Sequence, residues 1–458
     1  MSHPLKAWTA ALSLSLALAG SAAAEEPAPA YVPRAPLAKL DLHDGDTIVF
    51  LGDSITHQCL YTQYVEDYFY TRFPRMRLRL HNAGVGGSRA WDALHRFDRD
   101  VAAYQPKYVT VLLGMNDGRY AEYLDDVFTG YSTEMDRLLE KIDACGATAV
   151  LMTPTMFDAR AKRMQPPGGF MGPKAVTFYN STLAYYGAWL RDTASERGLG
   201  FVDMWGPLNE TTLRERRKDP AFTLIKDSVH PDAPGQVVMA AAMIGDLGLP
   251  RIVSEMKFSL QEEQWTSTAE AAEITGLEGT ADGLSFTSLE RALPWVLPAD
   301  AQPGVRLTDL GGEFGRQTLT VSGLPAGTYT VSIDGAEVTR ATREELQTGL
   351  PLHDLAKTPQ YQQAAHVAEL NKQRNEGPVK TLRNEWVNFQ QVKFLQSQVE
   401  KNPADEAEKQ RLADAEKKLP GMEERVKAAE AAARAIEDDI FKNNQPRPHR
   451  FEIRPVGK

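Results

Sequence analysis

The sequence predicts an α/β fold in its first half, a flavodoxin-like three-layer α/β/α arrangement around a parallel sheet. A small antiparallel β-module and a long helical hairpin are predicted to follow. Up to about residue 250, short apolar runs alternate with amphipathic segments, which is typical of a parallel sheet wrapped by helices. After that, turn-rich strand patterns come first, and a charged segment with heptad spacing follows them.

Five short runs are the predicted strands of the parallel sheet. They are residues 47–51, 76–80, 108–113, 148–152 and 201–204. The second run alternates three apolar residues with two arginines, so only one of its faces is apolar. Central parallel strands are apolar on both faces, so this run belongs at an edge. A strand order of 2-1-3-4-5 places it there.

The end of the α/β domain is marked by its last helix. This helix is predicted to begin near Asp232, with Pro234 in its first turn, and to close at Gly248. The domain is therefore predicted to span residues 37–252. Between Phe157 and Lys174 an insertion containing Pro166-Pro167-Gly168-Gly169 interrupts the alternation of strands and helices. We interpret it either as a loop that lines a pocket or as a plain surface loop.

The second half of the chain divides into three predicted parts. Residues 253–350 contain strand and turn patterns and form the β-module. Residues 351–445 form a coiled-coil-like helical hairpin, in which an apolar seam runs from Leu412 to Ile440 and is interrupted at Pro420-Gly421. A preceding helix that carries Trp386 is its predicted partner. Residues 446–458 contain one strand pattern, which either returns to the β-module or belongs to a disordered tail.

The N-terminus has the pattern of a signal peptide over residues 1–24. Lys6 precedes an apolar stretch at residues 8–19, and Ala22-Ala23-Ala24 offers a cleavage site. Residues 25–36 are rich in Ala and Pro and are interpreted as a linker. We therefore expect an exported protein, periplasmic or extracellular, that is cleaved near Ala24. A buried N-terminal helix is the alternative.

Composition restricts the partners. The 458 residues carry a formal net charge of −10 without a dense cluster of Lys or Arg, which argues against a nucleic-acid partner. The sequence contains no stretch long and apolar enough to be a transmembrane segment. The two cysteines, Cys59 and Cys145, are expected at opposite ends of the sheet and therefore as free thiols. Their spacing fits no zinc or haem pattern.

Four short blocks carry the residue types that ester cleavage requires. They are Gly52-Asp53-Ser54, Asn82 to Gly87, Gly114-Met115-Asn116-Asp117 and Asp227-Ser228-Val229-His230. Their chemical groups are expected where successive elements end, so one edge of the sheet collects them. A serine, a base, a carboxylate and oxyanion donors are the parts needed for acyl transfer.

Ser54 is the candidate nucleophile, although a serine at the start of a helix is also a common cap. His230 is the candidate base, because Pro231 holds it in an extended conformation. Asp227 stands three residues earlier and is placed to orient the His230 ring; its alternative role is a local cap. His57 is a rival base, but it has no aspartate at matching spacing, so we place it in the pocket wall.

Gly87 and Asn116 are the candidate oxyanion donors. A glycine lets a backbone N–H approach a substrate closely, and the side chain of Asn116 carries an amide donor. Ordinary turn chemistry is the alternative for both residues.

The four blocks resemble those of the SGNH (GDSL-type) hydrolase family, over roughly residues 45–250. The resemblance implies that Ser54 is the nucleophile and that its own N–H joins Gly87 and Asn116 in the oxyanion hole. Gly84 and Gly86 stay open as alternatives to Gly87. Further candidates for the pocket are Asp53, His57, Gly86 and Asp117. This chemistry needs no cofactor and no metal.

The predicted function is therefore an exported serine esterase that works through an acyl-enzyme. Acetylated carbohydrate is the leading substrate, because exported members of the family often act on it. A lipase, lysophospholipase or thioesterase is the alternative within the same chemistry. A non-catalytic surface-binding or scaffold protein, self-associating through the helical region, is the alternative from another class.

Overall fold

The computed structural model describes residue 35 and residues 37–165 and 171–457. The predicted signal peptide and nearly all of the predicted linker lie outside the described residues, as does Pro166-Pro167-Gly168-Gly169. Within the described residues, no helix is long and apolar enough to cross a membrane.

A parallel sheet forms the centre of the α/β part, and its strand order is β2-β1-β3-β4-β5. The strands are β1 (Thr47–Gly52), β2 (Arg79–Gly84), β3 (Tyr108–Leu112), β4 (Thr148–Met152) and β5 (Gly200–Val202). All neighbouring pairs in this sheet are parallel. The predicted flavodoxin-like order and the edge position of the second strand are confirmed.

The predicted range of the second strand, residues 76–80, is wrong. The strand begins at Arg79 and continues to Gly84, where it pairs with Gly52 of β1. A Cβ atom at Gly84 would lie 2.4 Å from the backbone nitrogen of His57. Only glycine therefore lets β2 run this far along β1. The end of the strand consists of small and polar residues, so a search for apolar runs does not detect it.

Helices cover both faces of the sheet. They are α1 (Ser54–His57), α2 (Leu60–Arg72), α3 (Ala90–Asp100), α4 (Asp125–Ala144), α5 (Ala159–Met164), α6 (Pro173–Arg197), α7 (Trp205–Arg216) and α8 (Ala233–Asp246). Ile48 and Phe50 of β1 enter one buried cluster, and Val49 and Leu51 enter the other. Alternate residues of a strand thus pack on opposite faces, which explains the nearly continuous apolar runs.

The β-module consists of two sheets with the orders β13-β10-β6-β7 and β12-β11-β14-β9-β8. Its strands are β6 (Ile252–Gln261), β7 (Gln264–Glu270), β8 (Ala272–Thr280), β9 (Gly283–Glu290), β10 (Arg316–Ser322), β11 (Thr328–Ile333), β12 (Ala336–Thr342), β13 (Leu350–Pro351) and β14 (His449–Pro455). Three short helices accompany them: α9 (Gln302–Thr308), α10 (Leu310–Phe314) and α11 (Arg343–Thr348).

One pairing departs from the antiparallel expectation, since β6 and β10 are parallel. A parallel pair needs a long crossover connection, and the stretch between these two strands supplies it. Part of that stretch leaves the β-module and packs on the α/β core, where the indole N–H of Trp295 donates to the carbonyl of Tyr64 at 2.9 Å. The first sheet of the module is therefore mixed.

The last strand, β14, lies inside a sheet, between β9 and β11. It is antiparallel to both neighbours. Its Phe451 ring stacks on Phe286 of β9 with centroids 4.9 Å apart, and Phe286 stacks in turn on Phe258 of β6 at 4.2 Å. The chain terminus thus contributes to the centre of the module core.

Residues 359–443 form a helical hairpin, which we name the helical arm. It contains α12 (Pro359–Arg374), a π-helical segment (Asn375–Val379), α13 (Lys380–Lys401), α14 (Glu406–Glu416) and α15 (Met422–Asn443). Pro378 lies in the π-helical segment, where the wider turn tolerates a residue without an N–H. Seam residues Met422 and Ala429 pack against Trp386 in one buried cluster, so these contacts lie within one chain.

Two buried ionic contacts join the helical arm to the α/β part. Arg374 donates to Glu66 of α2 at 3.1 Å. Arg383 donates to both carboxylate oxygens of Asp100 of α3, at 2.9 and 2.7 Å. Asp100 also accepts from Arg96 at 2.7 Å, and all three side chains of this second contact are at most 1% exposed.

Cys59 and Cys145 are free thiols, as expected. Cys59 is buried, and Cys145 is partly buried.

Candidate active site

Ser54 lies on the tight turn between β1 and α1. The strand ends at Gly52 and the helix begins at Ser54. Asp53 caps that helix, because its carboxylate accepts the N–H of Ile55 at 2.9 Å. A side chain at Gly52 would lie 2.1 Å from the Thr56 hydroxyl, so only glycine allows the strand to turn this closely into the helix. The serine is thereby presented at the carboxyl edge of the sheet.

The loop before α8 brings His230 to Ser54. The Nε2 atom of His230 lies 2.8 Å from the Ser54 Oγ, and the Nδ1 atom of His230 lies 2.6 Å from a carboxylate oxygen of Asp227. An ionised carboxylate only accepts, so Nδ1 carries the ring proton of the neutral histidine. This leaves Nε2 as the acceptor for the serine hydroxyl. The three side chains therefore form one hydrogen-bonded series.

The conformation of the loop places Asp227 beneath the histidine ring. The second carboxylate oxygen of Asp227 accepts the N–H groups of Val229 and His230, at 2.9 and 2.7 Å. Ser228 has a φ of +83°, an unfavourable left-handed conformation for a residue with a side chain. Such strain is common at functional sites.

The pKa values follow from these contacts. Burial alone would raise the pKa of Asp227, but hydrogen bonds from the His230 ring and from the N–H groups of His230 and Val229 lower it to about 2. The hydrogen bond to Asp227 raises the pKa of His230, against the opposing effect of burial. A histidine of raised basicity that accepts from a serine hydroxyl is the arrangement needed to remove the proton of that serine.

The second block ends in a turn that contains the candidate oxyanion glycines. Gly84 is set apart from them, because its N–H already donates to the Asn82 side chain at 2.9 Å. Gly86 and Gly87 follow at the exposed tip of a turn, in which the N–H of Ser88 donates to the carbonyl of Val85 at 3.2 Å. Gly86 and Gly87 thus stay as the candidate donors of this block.

Asn116 is held at the same edge by two hydrogen bonds. Its amide nitrogen donates to the carbonyl of Ser88 at 3.1 Å, and its side-chain oxygen accepts from the hydroxyl of Tyr120 at 3.1 Å. A carboxamide nitrogen has two N–H groups, so the bond to Ser88 leaves the second for a substrate oxygen. The side chain is therefore oriented before a substrate arrives.

Asp53 and Asp117 are buried, and each accepts backbone N–H groups. Asp117 accepts from Ala90 of α3 and from Gly114, both at 2.9 Å, and thereby ties the third block to α3. Burial raises the pKa of Asp53 to about 6 and that of Asp117 to about 7. These contacts give both carboxylates a part in building the loops of the site.

His57 lies against the end of β2. Its Nδ1 donates to the carbonyl of Gly84 at 3.3 Å, and burial lowers its pKa. The imidazole that hydrogen-bonds Ser54 is that of His230.

One contact of the site was missed by sequence reasoning. Gln390 of the helical arm donates from its amide to the carbonyl of Gly86 at 3.1 Å and accepts from the Ser88 hydroxyl at 2.6 Å. It lies about 300 residues further along the chain, on an ordinary amphipathic helix, so no local motif pointed to it. Within residues 37–165 and 171–457, no group of three or more His, Cys, Asp or Glu side chains is arranged to hold a metal ion.

A serine, a histidine and a carboxylate in hydrogen-bonded series, at the carboxyl edge of a parallel sheet, define the class of serine hydrolases. Residues 50–238 match the model of the GDSL-like lipase/acylhydrolase family. The α/β part of the chain is therefore a hydrolase domain of the GDSL type, and the protein is a serine ester hydrolase.

Two similar proteins match different lengths of the chain. An acetylxylan esterase of Geobacillus stearothermophilus is 25% identical over 235 residues, which are 46% of this chain and 97% of that protein. A gut microbial diltiazem-metabolizing enzyme of known structure is 26% identical, with a TM-score of 0.78, over 92% of this chain and 100% of that one. The match to the second protein thus extends over the β-module and the helical arm.

Proposed function

We propose that this protein is an exported O-acetylesterase that acts on acetylated carbohydrate through an acyl-enzyme on Ser54. The observation that carries the mechanism is the hydrogen-bonded series from Ser54 through His230 to Asp227. The family and the likeness to an acetylxylan esterase support the ester chemistry and the substrate class.

In the proposed mechanism, the Ser54 Oγ attacks the carbonyl carbon of the ester while its proton passes to Nε2 of His230. The carbonyl oxygen becomes an oxyanion and accepts the N–H groups of Ser54 and Gly87 and the amide of Asn116. Collapse of this intermediate breaks the bond to the alcohol, which leaves with the proton from His230. Water then attacks the acyl-enzyme, with His230 as the base, and releases the acid and the serine.

The test compares p-nitrophenyl acetate with p-nitrophenyl octanoate, for the wild type and Ser54→Ala. We expect rapid hydrolysis of the acetate, weaker hydrolysis of the octanoate and no activity above background in the variant. A preference for the octanoate would transfer the proposal to lipids or other long acyl esters. Equal rates for the variant and the wild type would refute the role of Ser54.

The carbohydrate part of the proposal has its own assay. Acetate release from acetylated xylan and from acetylated xylo-oligosaccharides is measured with the same pair of proteins. Ser54-dependent release would support the proposed substrate, whereas p-nitrophenyl acetate hydrolysis without any release from these carbohydrates would contradict it.

A small organic ester is a second candidate substrate. The observation that favours it is the match along 92% of this chain to a diltiazem-metabolizing enzyme. Diltiazem is a small molecule that carries an acetyl ester, so both candidates share acetyl transfer to Ser54. A higher kcat/KM for diltiazem than for acetylated xylo-oligosaccharides would favour this second candidate.

Export is proposed from the N-terminal pattern, with cleavage near Ala24. N-terminal sequencing of the protein recovered from the periplasm or the medium tests it. A protein retained in the cytoplasm with residue 1 or 2 at its N-terminus would contradict export.

A further inference from the structure

We infer that Gln390 of the helical arm is a positioning residue for ester hydrolysis, because it fixes the direction in which the Gly87 N–H points. The inference rests on the proposed function, since it takes Gly87 as an oxyanion donor. It gives the helical arm a part in the chemistry of a site that is otherwise built by the α/β part.

The first step concerns the turn Val85–Ser88. Gly87 has a φ of +74°, whereas the φ of Gly86 lies outside the left-handed region. With the Ser88 N–H bonded to the Val85 carbonyl, this is the pattern of a type II turn. Type I and type II turns differ by a rotation of about half a revolution of the central peptide, here the one joining Gly86 and Gly87.

The second step is that this rotation decides what the Gly87 N–H can do. In a planar trans peptide, the carbonyl of Gly86 and the N–H of Gly87 point in opposite directions. Two consecutive glycines permit either orientation with little steric cost. The turn therefore needs a contact from outside to hold the orientation that a substrate oxyanion requires.

Gln390 supplies that contact. Its amide donates to the Gly86 carbonyl at 3.1 Å, which pulls this oxygen toward the helical arm and turns the Gly87 N–H away from it. Its side-chain oxygen accepts from the Ser88 hydroxyl at 2.6 Å. The glutamine therefore binds both residues that flank Gly87. The carbonyl of Ser88 in turn accepts from the Asn116 amide at 3.1 Å. One side chain of the helical arm thus stabilises the turn that contains Gly87 and that Asn116 contacts.

The position of Gln390 is itself fixed. Arg383 lies seven residues earlier, on the same side of α13, and makes the buried two-pronged contact with Asp100. Arg96 extends that contact to the carbonyl of Ala83 at 2.7 Å and to that of Gly52 at 3.1 Å. The helix that carries Gln390 is therefore anchored to the ends of β1 and β2, where the first and second blocks begin.

The experiment uses the full-length protein and p-nitrophenyl acetate, with Gln390→Leu, Gln390→Glu and Ser54→Ala. Gln390→Leu removes both hydrogen bonds, and Gln390→Glu keeps the acceptor for Ser88 but loses the donor to Gly86. Gln391→Ala is the matched control, because Gln391 is exposed and lies on the same helix. Each variant is also compared in thermal unfolding.

Losing a single oxyanion donor lowers kcat by roughly 10²–10³-fold, and an indirect effect is expected to be smaller. We expect kcat to fall about 10- to 100-fold in both Gln390 variants, with KM changed less than about twofold. Gln391→Ala is expected to match the wild type. In Gln390→Leu, the pH at which kcat/KM reaches half its maximum is expected to stay constant, because the two hydrogen bonds of Gln390 go to Gly86 and Ser88 and not to His230.

A second measurement reports on oxyanion binding directly, and the thermal unfolding of each variant separates a loss of positioning from a loss of structure. A trifluoromethyl ketone adds to the serine and places an oxyanion in the site, so its affinity is expected to fall in parallel with kcat. Unchanged kcat in Gln390→Leu, a change confined to KM, or unaltered affinity for the ketone would each overturn the inference. If Ser54→Ala is as active as the wild type, the proposed function fails instead, whatever Gln390 does.

Discussion

Asp227 makes two kinds of hydrogen bond with different consequences. One carboxylate oxygen binds the His230 ring, and the other accepts backbone N–H groups of the same loop. The first contact raises the pKa of His230, and the second holds the loop in the conformation that places the ring. A single carboxylate thus affects both the basicity and the position of the proposed base.

The contact between Asp227 and the His230 ring predicts how Asp227→Asn changes the pH profile. The histidine must be neutral to accept a proton, so activity falls as the pH drops below its pKa. Because Asp227 raises that pKa, its neutralisation is expected to move the acidic limb of kcat/KM to lower pH. The maximal kcat is expected to fall by roughly 10³–10⁴-fold, because an amide favours the wrong tautomer. Asp219→Asn, which changes an exposed aspartate before the same loop, is the control. An unmoved limb would argue against His230 as the base.

The second prediction at this scale concerns Asn116. Asn116→Ala removes a proposed oxyanion donor, so kcat is expected to fall by roughly 10²–10³-fold, or about 3–4 kcal/mol of transition-state stabilisation. Asn116→Asp keeps an acceptor for the Tyr120 hydroxyl but loses the donor, and we expect it to be impaired to a similar degree. Steady-state kinetics with p-nitrophenyl acetate measure both variants. A normal kcat in either variant would contradict the role of Asn116 and indicate that other groups stabilise the oxyanion.

At the scale of elements, the contact between α13 and α3 holds the helical arm in place. Burial alone would raise the pKa of Asp100, yet Arg383, His81 and Arg96 together keep it well below its usual range. Breaking a buried ion pair costs more than the pair contributes, because one charge is left without its partner.

Arg383→Met is therefore expected to lower the free energy of unfolding by about 3–5 kcal/mol. Urea unfolding of the full chain measures it. Arg434→Met on α15 is the matched control, since the Arg434 side chain is 65% exposed and its change is expected to cost at most about 0.5 kcal/mol. Similar midpoints for the two variants would show that the buried contact contributes little.

The elements show where sequence patterns succeed. The strands β3 and β4 are buried on both faces, so their apolar runs predicted them to within one residue. The end of β2 was missed because Asn82 and Gly84 are not apolar. They are present for the hydrogen bonds of Asn82 with Thr56 and with the N–H of Gly84. The parallel pairing of β6 with β10 depends on a crossover that packs on another part of the molecule, which local periodicity does not encode.

The candidate site shows the same contrast between local motifs and long-range contacts. Ser54, Asp227 and His230 occur in short motifs, so residue type and spacing were sufficient to select them. The choice between Gly84 and its neighbours required the hydrogen bond from Gly84 to Asn82. Gln390 required the path of the helical arm, because its contacts depend on which helix face meets the second block.

At the scale of the whole molecule, the chain order interleaves the parts. The helical arm is inserted between β13 and β14, and β14 then returns to the centre of a sheet. It pairs with β9 and β11, so its removal would leave two strands with unpaired backbone groups.

Deletion of residues 449–458 is expected to destabilise the protein and to cause aggregation. The stacked Phe451 and the hydrogen bonds on both sides of β14 are lost together. Deletion of residues 456–458, which lie beyond the strand, is the control and is expected to leave the protein monodisperse. Size-exclusion chromatography and thermal unfolding measure both. A monodisperse protein with an unchanged midpoint after the longer deletion would contradict the prediction.

The central place of β14 also has a consequence for synthesis. Because β14 follows the helical arm in the chain, its sheet keeps a gap at its centre until both the arm and β14 have been synthesised. Any chain that stops early therefore carries two open strand edges, and such edges promote aggregation. A chain truncated before β14 is therefore expected to aggregate more readily than a chain that contains this strand.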